Sequence, residues 1–418
     1  MSRVIRPGRP LLGIALALGC SAAFALQGDR IRPSAALNYT YFDNVYYLDD
    51  RLNASQLAII KNGQKSDQVL GVRLGLDVDH YYQRQTFALR SQITDNRHMT
   101  YDQLNYVAYN ARGVWTWVAG TRYDGDLGLE KTQVASTLYD FRTTDRTVRN
   151  LRDQTSFFGS GMVKMTADWK LRGALRYNNI DNSLSRFNSQ DRQEWVAEAG
   201  SRYYSKGSDD YLGLNFRYVD GRFPNREVVN TSTVDNGFHQ YTLEGQVDYQ
   251  YTGLTRISGS LGYTTRQQRQ LSQRNFSGIT GRLTGTYALS SKTSLTGAVF
   301  REIGSWEDIT ANYIVTTGLS LGVSQGLTEK LSAQLSASAR HRSFQGDPLA
   351  VASVLPKRAD RLNSYSASLI WTPTRLTRFD LSLSYDTRDA NDAWALVGFG
   401  SFNNFNVITL FGQAQITF

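Results

Sequence analysis

Cysteine is all but missing from this chain: Cys20 is the single example in 418 residues. A disulfide framework and thiolate chemistry are thereby excluded from everything downstream of residue 20. Proline is scarce at seven residues, and neither a Pro/Gly/Ser-rich linker nor a low-complexity tract divides the sequence. The mean hydropathy is −0.40, and after the first residues no stretch approaches 20 apolar positions, which excludes a helical membrane protein. Lys/Arg-rich runs are absent as well. A net charge of +9 spread along the chain carries no nucleic-acid signature. Nor is there a GxGxxG or GxxxxGK[ST] ahead of a helical pattern, so nothing announces a phosphate cradle.

The first residues read as an export address. Arg3, Arg6 and Arg9 form a basic region, residues 11–18 a short apolar one, and Ala23-Phe24-Ala25 a small-x-small cleavage pattern. Cleavage is expected after Ala25. Lipidation at Cys20 is disfavoured because Ala17 occupies the lipobox position that prefers leucine. The expected division is a signal peptide at 1–25, a short periplasmic lead-in at 26–33 and a single unit over 34–418. Removing the leader takes away the cysteine and three arginines, leaving a net charge of about +6.

The remainder holds most of the 35 glycines and 24 tyrosines, evenly spread. Its recurring unit is about ten residues of strict alternation, which puts one class of side chain on each face of a sheet. Tyr241, Leu243, Val247 and Tyr249 oppose Thr242, Glu244, Gln246 and Asp248. Leu331, Ala333, Leu335, Ala337 and Ala339 oppose Ser332, Gln334, Ser336, Ser338 and Arg340. A packed core would not tolerate so many unpaired polar groups. Apolar-out and polar-in alternation is the pattern of an outer-membrane barrel.

Connection lengths add an independent regularity. Segments between strands alternate long (43–67, 135–154, 222–238, 343–362) and tight (Gln83-Arg84, Gly253, Ser290-Ser291-Lys292, Pro373-Thr374). Tyr81, Tyr82, Trp115, Trp117, Trp169, Tyr203, Tyr211, Tyr251, Tyr287 and Trp371 fall beside the tight turns, as a periplasmic aromatic girdle would. The chain ends on Phe418, with Ile416, Ala414, Gly412, Leu410 and Ile408 in step behind it. Such a strand is what the outer-membrane assembly machinery would recognise. The expected fold is therefore all-β: a transmembrane antiparallel up-and-down barrel of about 18 strands (16–18), in the bacterial outer membrane and in contact with its lipid. A secreted β-sandwich, solenoid or propeller explains the alternation but not the alternating loop lengths.

Chemistry-bearing constellations are few. His80, His98, His239 and His341 have no metal-ligand spacing and read as solvated or girdle residues, so neither a metal nor a cofactor is expected. Serines abound without a nucleophile signature. Asp49-Asp50 and Asp209-Asp210 read as solvated acidic pairs. Strand parity points Arg73, Arg112, Lys170, Arg172, Arg176, Arg217, Arg256, Arg282 and Arg340 inward, in the company of Asp77, Asp79, Glu198, Glu244, Asp248, Asp380 and Asp386. Either these charges pair and fill a hydrated interior, or the guanidinium groups guide an anionic solute or a sugar chain.

Several stretches resemble the EpsL family of outer-membrane barrels, associated with exopolysaccharide biosynthesis and export in bacteria with the exosortase system. They are YTYFDN (39–44), the Trp115-Thr116-Trp117 strand end, FPNRE (223–227), DNGFHQ (235–240), QRNFSGITGRL (273–283), ANYIVTTGLSL (311–321) and SLIWTP (368–373). The resemblance runs in order along nearly the whole mature chain. It implies a passive, non-enzymatic conduit for an extracellular polysaccharide, delivered by periplasmic and inner-membrane export machinery, with the nine basic residues as candidate pore-lining contacts. The barrel pattern alone supports a general or substrate-specific diffusion porin equally well. A lipid-modifying enzyme of the outer membrane is the third possibility.

Overall fold

The computed structural model describes residues 30–418 apart from 53, 141–145, 226, 230–231, 271, 309–310, 346–357 and 392–402. The expected leader and its cleavage site lie outside the described residues. The first nine strands are β1 (Arg30–Phe42), β2 (Asp67–Tyr82), β3 (Gln85–His98), β4 (Tyr106–Ala119), β5 (Tyr123–Ala135), β6 (Leu151–Lys164), β7 (Trp169–Asn182), β8 (Arg192–Tyr204) and β9 (Tyr211–Arg222). A small hairpin follows, of β10 (Glu227–Val229) and β11 (Ser232–Val234). Next come β12 (Phe238–Gln250), β13 (Thr255–Gln268), β14 (Phe276–Ala288), β15 (Thr293–Asp308) and β16 (Ala311–Gly326). The last four are β17 (Leu331–Gln345), β18 (Ala359–Trp371), β19 (Thr377–Ala390) and β20 (Phe405–Thr417).

All strands except the β10–β11 hairpin form one antiparallel sheet of 18. Each pairs with the next in the chain, β9 pairing with β12 across the hairpin. β1 pairs both with β2 and with β20, running from Ser34↔Thr417 to Phe42↔Thr409, so the sheet closes on itself. Closure leaves no open edge, which a lipid-exposed sheet requires because hydrocarbon offers no partner to a bare N–H or C=O.

Five of the eight tight turns share one chemistry. Thr166, Thr252, Ser290, Thr328 and Thr374 each accept, at the side-chain hydroxyl, the backbone N–H groups two and three residues on. A hydroxyl in that position substitutes for a backbone carbonyl and closes the hairpin without a long loop. Gly120 and Gly207 take positive φ in two of the remaining turns, where a side chain would be strained.

The two faces separate as the alternation requires. Leu214, Leu243, Leu261, Leu321 and Leu335 are all exposed, on one parity of their strands. Arg217, Glu244, Ser260, Ser320 and Ser336 occupy the other. Trp169–Tyr203 and Trp371–Phe379 ring pairs, at 5.3 and 5.2 Å, stand beside the tight turns on the outer face. Tyr81 and Tyr211 depart from the expected girdle and lie on the inner parity, Tyr81 in step with Asp77 and Asp79, and Tyr211 5.4 Å from Tyr204 and under the guanidinium of Arg202.

Strands also run further than alternation indicates at the end of the long loops. β15 reaches Asp308, β19 reaches Ala390 and β18 begins at Ala359. There both faces are polar, so the hydropathy signal disappears while the ladder continues. At the opposite end, β1 starts at Arg30 within the expected lead-in, and Arg32 donates to Asp79 at 2.8 Å.

The face assignment has a direct check. Leu321→Arg places a cation in the lipid-facing band and is expected to cost about 2–4 kcal/mol of folding free energy in vesicles. Ser320→Arg, one residue away on the inner face, should change stability by less than about 1 kcal/mol. Urea titration of both variants in lipid vesicles checks this, and the reverse order would contradict the assignment.

Candidate functional site

The lumen is organised by two features: a packed cap at the long-loop end and an arginine-rich recess in the wall below it.

The described residues of three outer segments build the cap: 43–66, 99–105 and, from the third, 136–140 with 146–150. Val45, Tyr46, Leu48, Tyr101, Leu104 and Leu138 form its apolar centre, all at most 3 % exposed. The rings of Tyr46 and Tyr101 meet edge-on at 4.8 Å. Burial pushes the Tyr46 phenol well above its ordinary pKa. Arg146 is 1 % exposed and donates to the carbonyls of Tyr46 and Tyr47 at 3.0 and 3.1 Å. His98 Nδ1 lies 2.7 Å from Asp67 Oδ2, and Arg149 Nη2 lies 3.3 Å from the other ring nitrogen. His98 is therefore a buried structural residue, not a solvated one. The acidic pair at 49–50 divides likewise: Asp49 is buried and accepts the Arg51 amide at 2.8 Å, while Asp50 stays exposed. Segment 43–66 thus joins the cap, a placement the sequence left open.

The third segment crosses to the far wall. It leaves β5, yet the Tyr139 carbonyl accepts from Arg388 Nη1 on β19 at 2.7 Å, six strands away by the shorter way round the ring. The Tyr139 ring also lies 5.6 Å from the guanidinium of Arg342 on β17, eight strands away where nine would be diametrically opposite. Tyr47 and Phe405 pack on the same ring at 5.1 and 5.3 Å. The anchor beneath is a buried ionic triad. Arg342 grips Asp360 through both carboxylate oxygens at 2.8 and 2.7 Å, and Arg388 Nε donates to the same carboxylate at 2.9 Å. One carboxylate held by two cations in a dry site is rigid, and removing a partner strands a charge.

All nine basic residues expected at the lumen occupy the inner parity of their strands. Five meet carboxylates. Arg112 bonds Glu130 at 2.6 Å, Arg172 bonds Glu198 at 2.7 Å, and Arg217 sits 3.7 Å from Glu198. Arg256 is bidentate to Asp248, and Arg282 to Glu302. Four have softer partners: Arg73 the Gln415 amide, Arg340 the Ser364 hydroxyl, Lys170 the Tyr204 ring, and Arg176 the Phe158 ring.

The structure brings four of the nine together. Arg112, Arg172, Arg176 and Arg217 converge with Asp126 and Glu198 on a recess of about 290 Å³ in the wall formed by β4 to β9. At its centre is Phe158, with the guanidinium carbons of Arg112 and Arg176 at 4.5 and 4.8 Å from the ring centroid. The ring lies over Gly128 of β5, where a Cβ would collide with it. Stacked guanidinium groups keep their N–H edges free for a carboxylate, a phosphate or sugar hydroxyls. Arg73, Lys170, Arg256, Arg282 and Arg340 are not part of this recess. Phe158 carried no sequence signal beyond its parity. Arg388 lies beyond the last alternating residue of its strand, and nothing local in the sequence pairs it or Arg342 with Asp360.

No protein-family profile matches the chain, and no characterised protein matches it in sequence. Among solved structures it is similar to the vanillate complex of OpdK from Pseudomonas aeruginosa, at 10 % identity and a TM-score of 0.49, covering 93 % of this chain and 99 % of that one. Acinetobacter baumannii OccAB3 gives 8 % identity and a TM-score of 0.47, with 93 % and 99 % covered. A mutant of the ferric enterobactin receptor PfeA from Pseudomonas aeruginosa gives 8 %, 0.47, 93 % and 80 %. The assignment as an outer-membrane-type barrel rests on the closed pairing and the two faces of the wall.

Arg388→Ala removes the donor to Tyr139 and one of two cations on Asp360. It is expected to cost about 3–5 kcal/mol of cap stability, because a buried carboxylate loses half its compensation. Amide hydrogen exchange at Leu138 and Tyr139 should accelerate while exchange in β12 to β16 stays unchanged. Equal protection in both proteins would contradict the anchor.

Proposed function

We propose that this protein is a substrate-selective diffusion channel of the outer membrane that favours small anionic or polyhydroxylated solutes. The observation that carries the reading is the pairing of a cap reaching the far wall with an arginine recess below it. A mouth crossed by this cap suits solutes of limited size. The recess offers four guanidinium groups, only partly compensated by the carboxylates around them, as a way station that binds weakly enough to release. The reading is non-enzymatic.

Export of a polysaccharide is the second reading, and the opposite wall is what favours it. There the inner face of β17 to β19 carries a hydroxyl ladder, with Ser336–Ser366 at 2.7 Å and Ser368–Ser382 at 3.1 Å. Hydroxyls facing arginines across a hydrated lumen suit a sugar chain, and the cap would then act as a gate opened by the export machinery. Recognition of the Phe418 strand by the assembly machinery belongs to either reading.

The test is the reversal potential of the refolded mature protein in a planar bilayer under a KCl gradient, with and without the host's exopolysaccharide. The expected result is anion preference, lost when Arg112, Arg172, Arg176 and Arg217 are all changed to alanine, with conductance indifferent to polymer. Stepwise block by polymer would favour export instead. A cation-selective or silent channel would overturn the primary reading.

A further inference from the structure

The wall is not uniform, and its irregularity faces outward. β14 and β15 pair only from Gly281↔Arg301 to Ala288↔Ser294, although residues 276–280 and 302–308 continue both strands toward the outer side. Every other pair joined by a tight turn keeps its ladder to within a few residues of the outer strand ends, so the outer half of this seam is a fork. An unzipped ladder in a lipid-facing wall leaves backbone groups without their usual partners. Arg301 answers part of that need: its Nε donates to the Ile279 carbonyl at 3.1 Å and its Nη1 to the Thr317 hydroxyl at 3.4 Å.

A cavity of about 500 Å³ lies against the fork. Leu261, Ile279, Leu283, Val299 and Leu319 line it on the lipid-facing parity, and Ala339 leaves its floor low. Gly281 deepens the dent, since a Cβ there would collide with the Ser260 carbonyl. Above this apolar trough the cross-strand register sets one row: Arg301 opposite Thr317, Thr317 opposite His341, and His341 opposite Arg361. Adjacent strands lie about 4.8 Å apart, so the row spans roughly 15 Å. Arg301, His341 and Arg361 are all exposed on the outer face. Asp389 is the register neighbour of Arg361 on the far side, and no ion pair joins the two within 4.0 Å.

We propose that this groove is a docking site for a phosphorylated lipid of the outer leaflet. Its acyl chains fill the trough against Leu283, Val299 and Leu319, and its phosphate is held by Arg301, His341 and Arg361. The long-loop end of the barrel faces outward, so the row lies where the apolar band gives way to polar residues and headgroups begin. An apolar cavity alone would take any lipid. The three basic side chains, with a hydroxyl between them and a single carboxylate at the edge, select an anion. The bound lipid would cover the fork and finish a wall that the protein's own hydrogen bonds leave open. The proposal is independent of what the lumen carries.

The test uses the full mature protein, delipidated in a neutral detergent, with bis-phosphorylated lipid A and its dephosphorylated counterpart as probes and native mass spectrometry as the readout. Wild type should bind the phosphorylated probe in preference to the dephosphorylated one. Arg301→Ala combined with Arg361→Ala should bind it roughly thirty-fold more weakly, since each basic residue near a membrane surface adds about a factor of five. Ala339→Phe fills the trough, leaves every charge in place and should weaken binding of both probes. Heat-modifiable mobility on gels confirms folding of each variant. If the double variant fails to fold, the comparison of the two probes on wild type and on Ala339→Phe still decides the matter. Equal binding of the two probes by wild type, or binding unchanged in the variants, would overturn the proposal.

Discussion

The pairing of residues 34–42 with 409–417 is the contact on which the rest depends. A sheet that spans hydrocarbon has no water to satisfy its edges, so its ends must find each other across nearly the whole length of the chain. Once β1 and β20 are joined, every strand of the wall has two partners and every wall side chain has one of two destinations. The alternation of leucine with serine and arginine follows from that constraint, as does the use of side-chain hydroxyls to close the short turns.

Closure also creates the space that function needs. Fixed rings of inner-parity side chains let Arg112, Arg172, Arg176 and Arg217, drawn from three strands, share one recess around Phe158. At the outer end the strands rise past the lipid-facing band and carry polar residues on both faces. That extension supplies Arg342, Asp360 and Arg388 as a platform on which Tyr139 lands from the far side of the lumen. Cap and recess are consequences of one architecture: the first limits what enters, and the second biases the charge of what passes. The fork between β14 and β15 is the place where closure is incomplete, and it is also the place where cations gather on the outer face.

Much of this was legible in the residues. Apolar sets such as Leu331, Leu335 and Ala337 mark the faces, loop lengths mark the topology, and parity places all nine basic residues inside. What could not be read has a physical cause in each case. Strand ends such as 304–308 and 388–390 lack alternation because neither face meets lipid, so nothing in the sequence marks Arg388 as a strand residue. The burial of His98 and Asp49 has no local signal, because it depends on contacts in the cap between segments far apart in sequence. The clustering of four arginines, rather than nine, depends on register and ring size, which periodicity does not specify. Tyr211 sits beside a tight turn yet turns inward, since nearness to a turn does not fix parity.

Single-channel conductance of the barrel, compared with a variant in which residues 137–149 are replaced by a short Gly-Ser linker, tests the central claim most directly. A mouth narrowed by that segment predicts a several-fold rise in conductance, in a barrel that refolds as well as wild type. Unchanged conductance would show that the segment does not limit the pore, and would contradict the account of a capped channel.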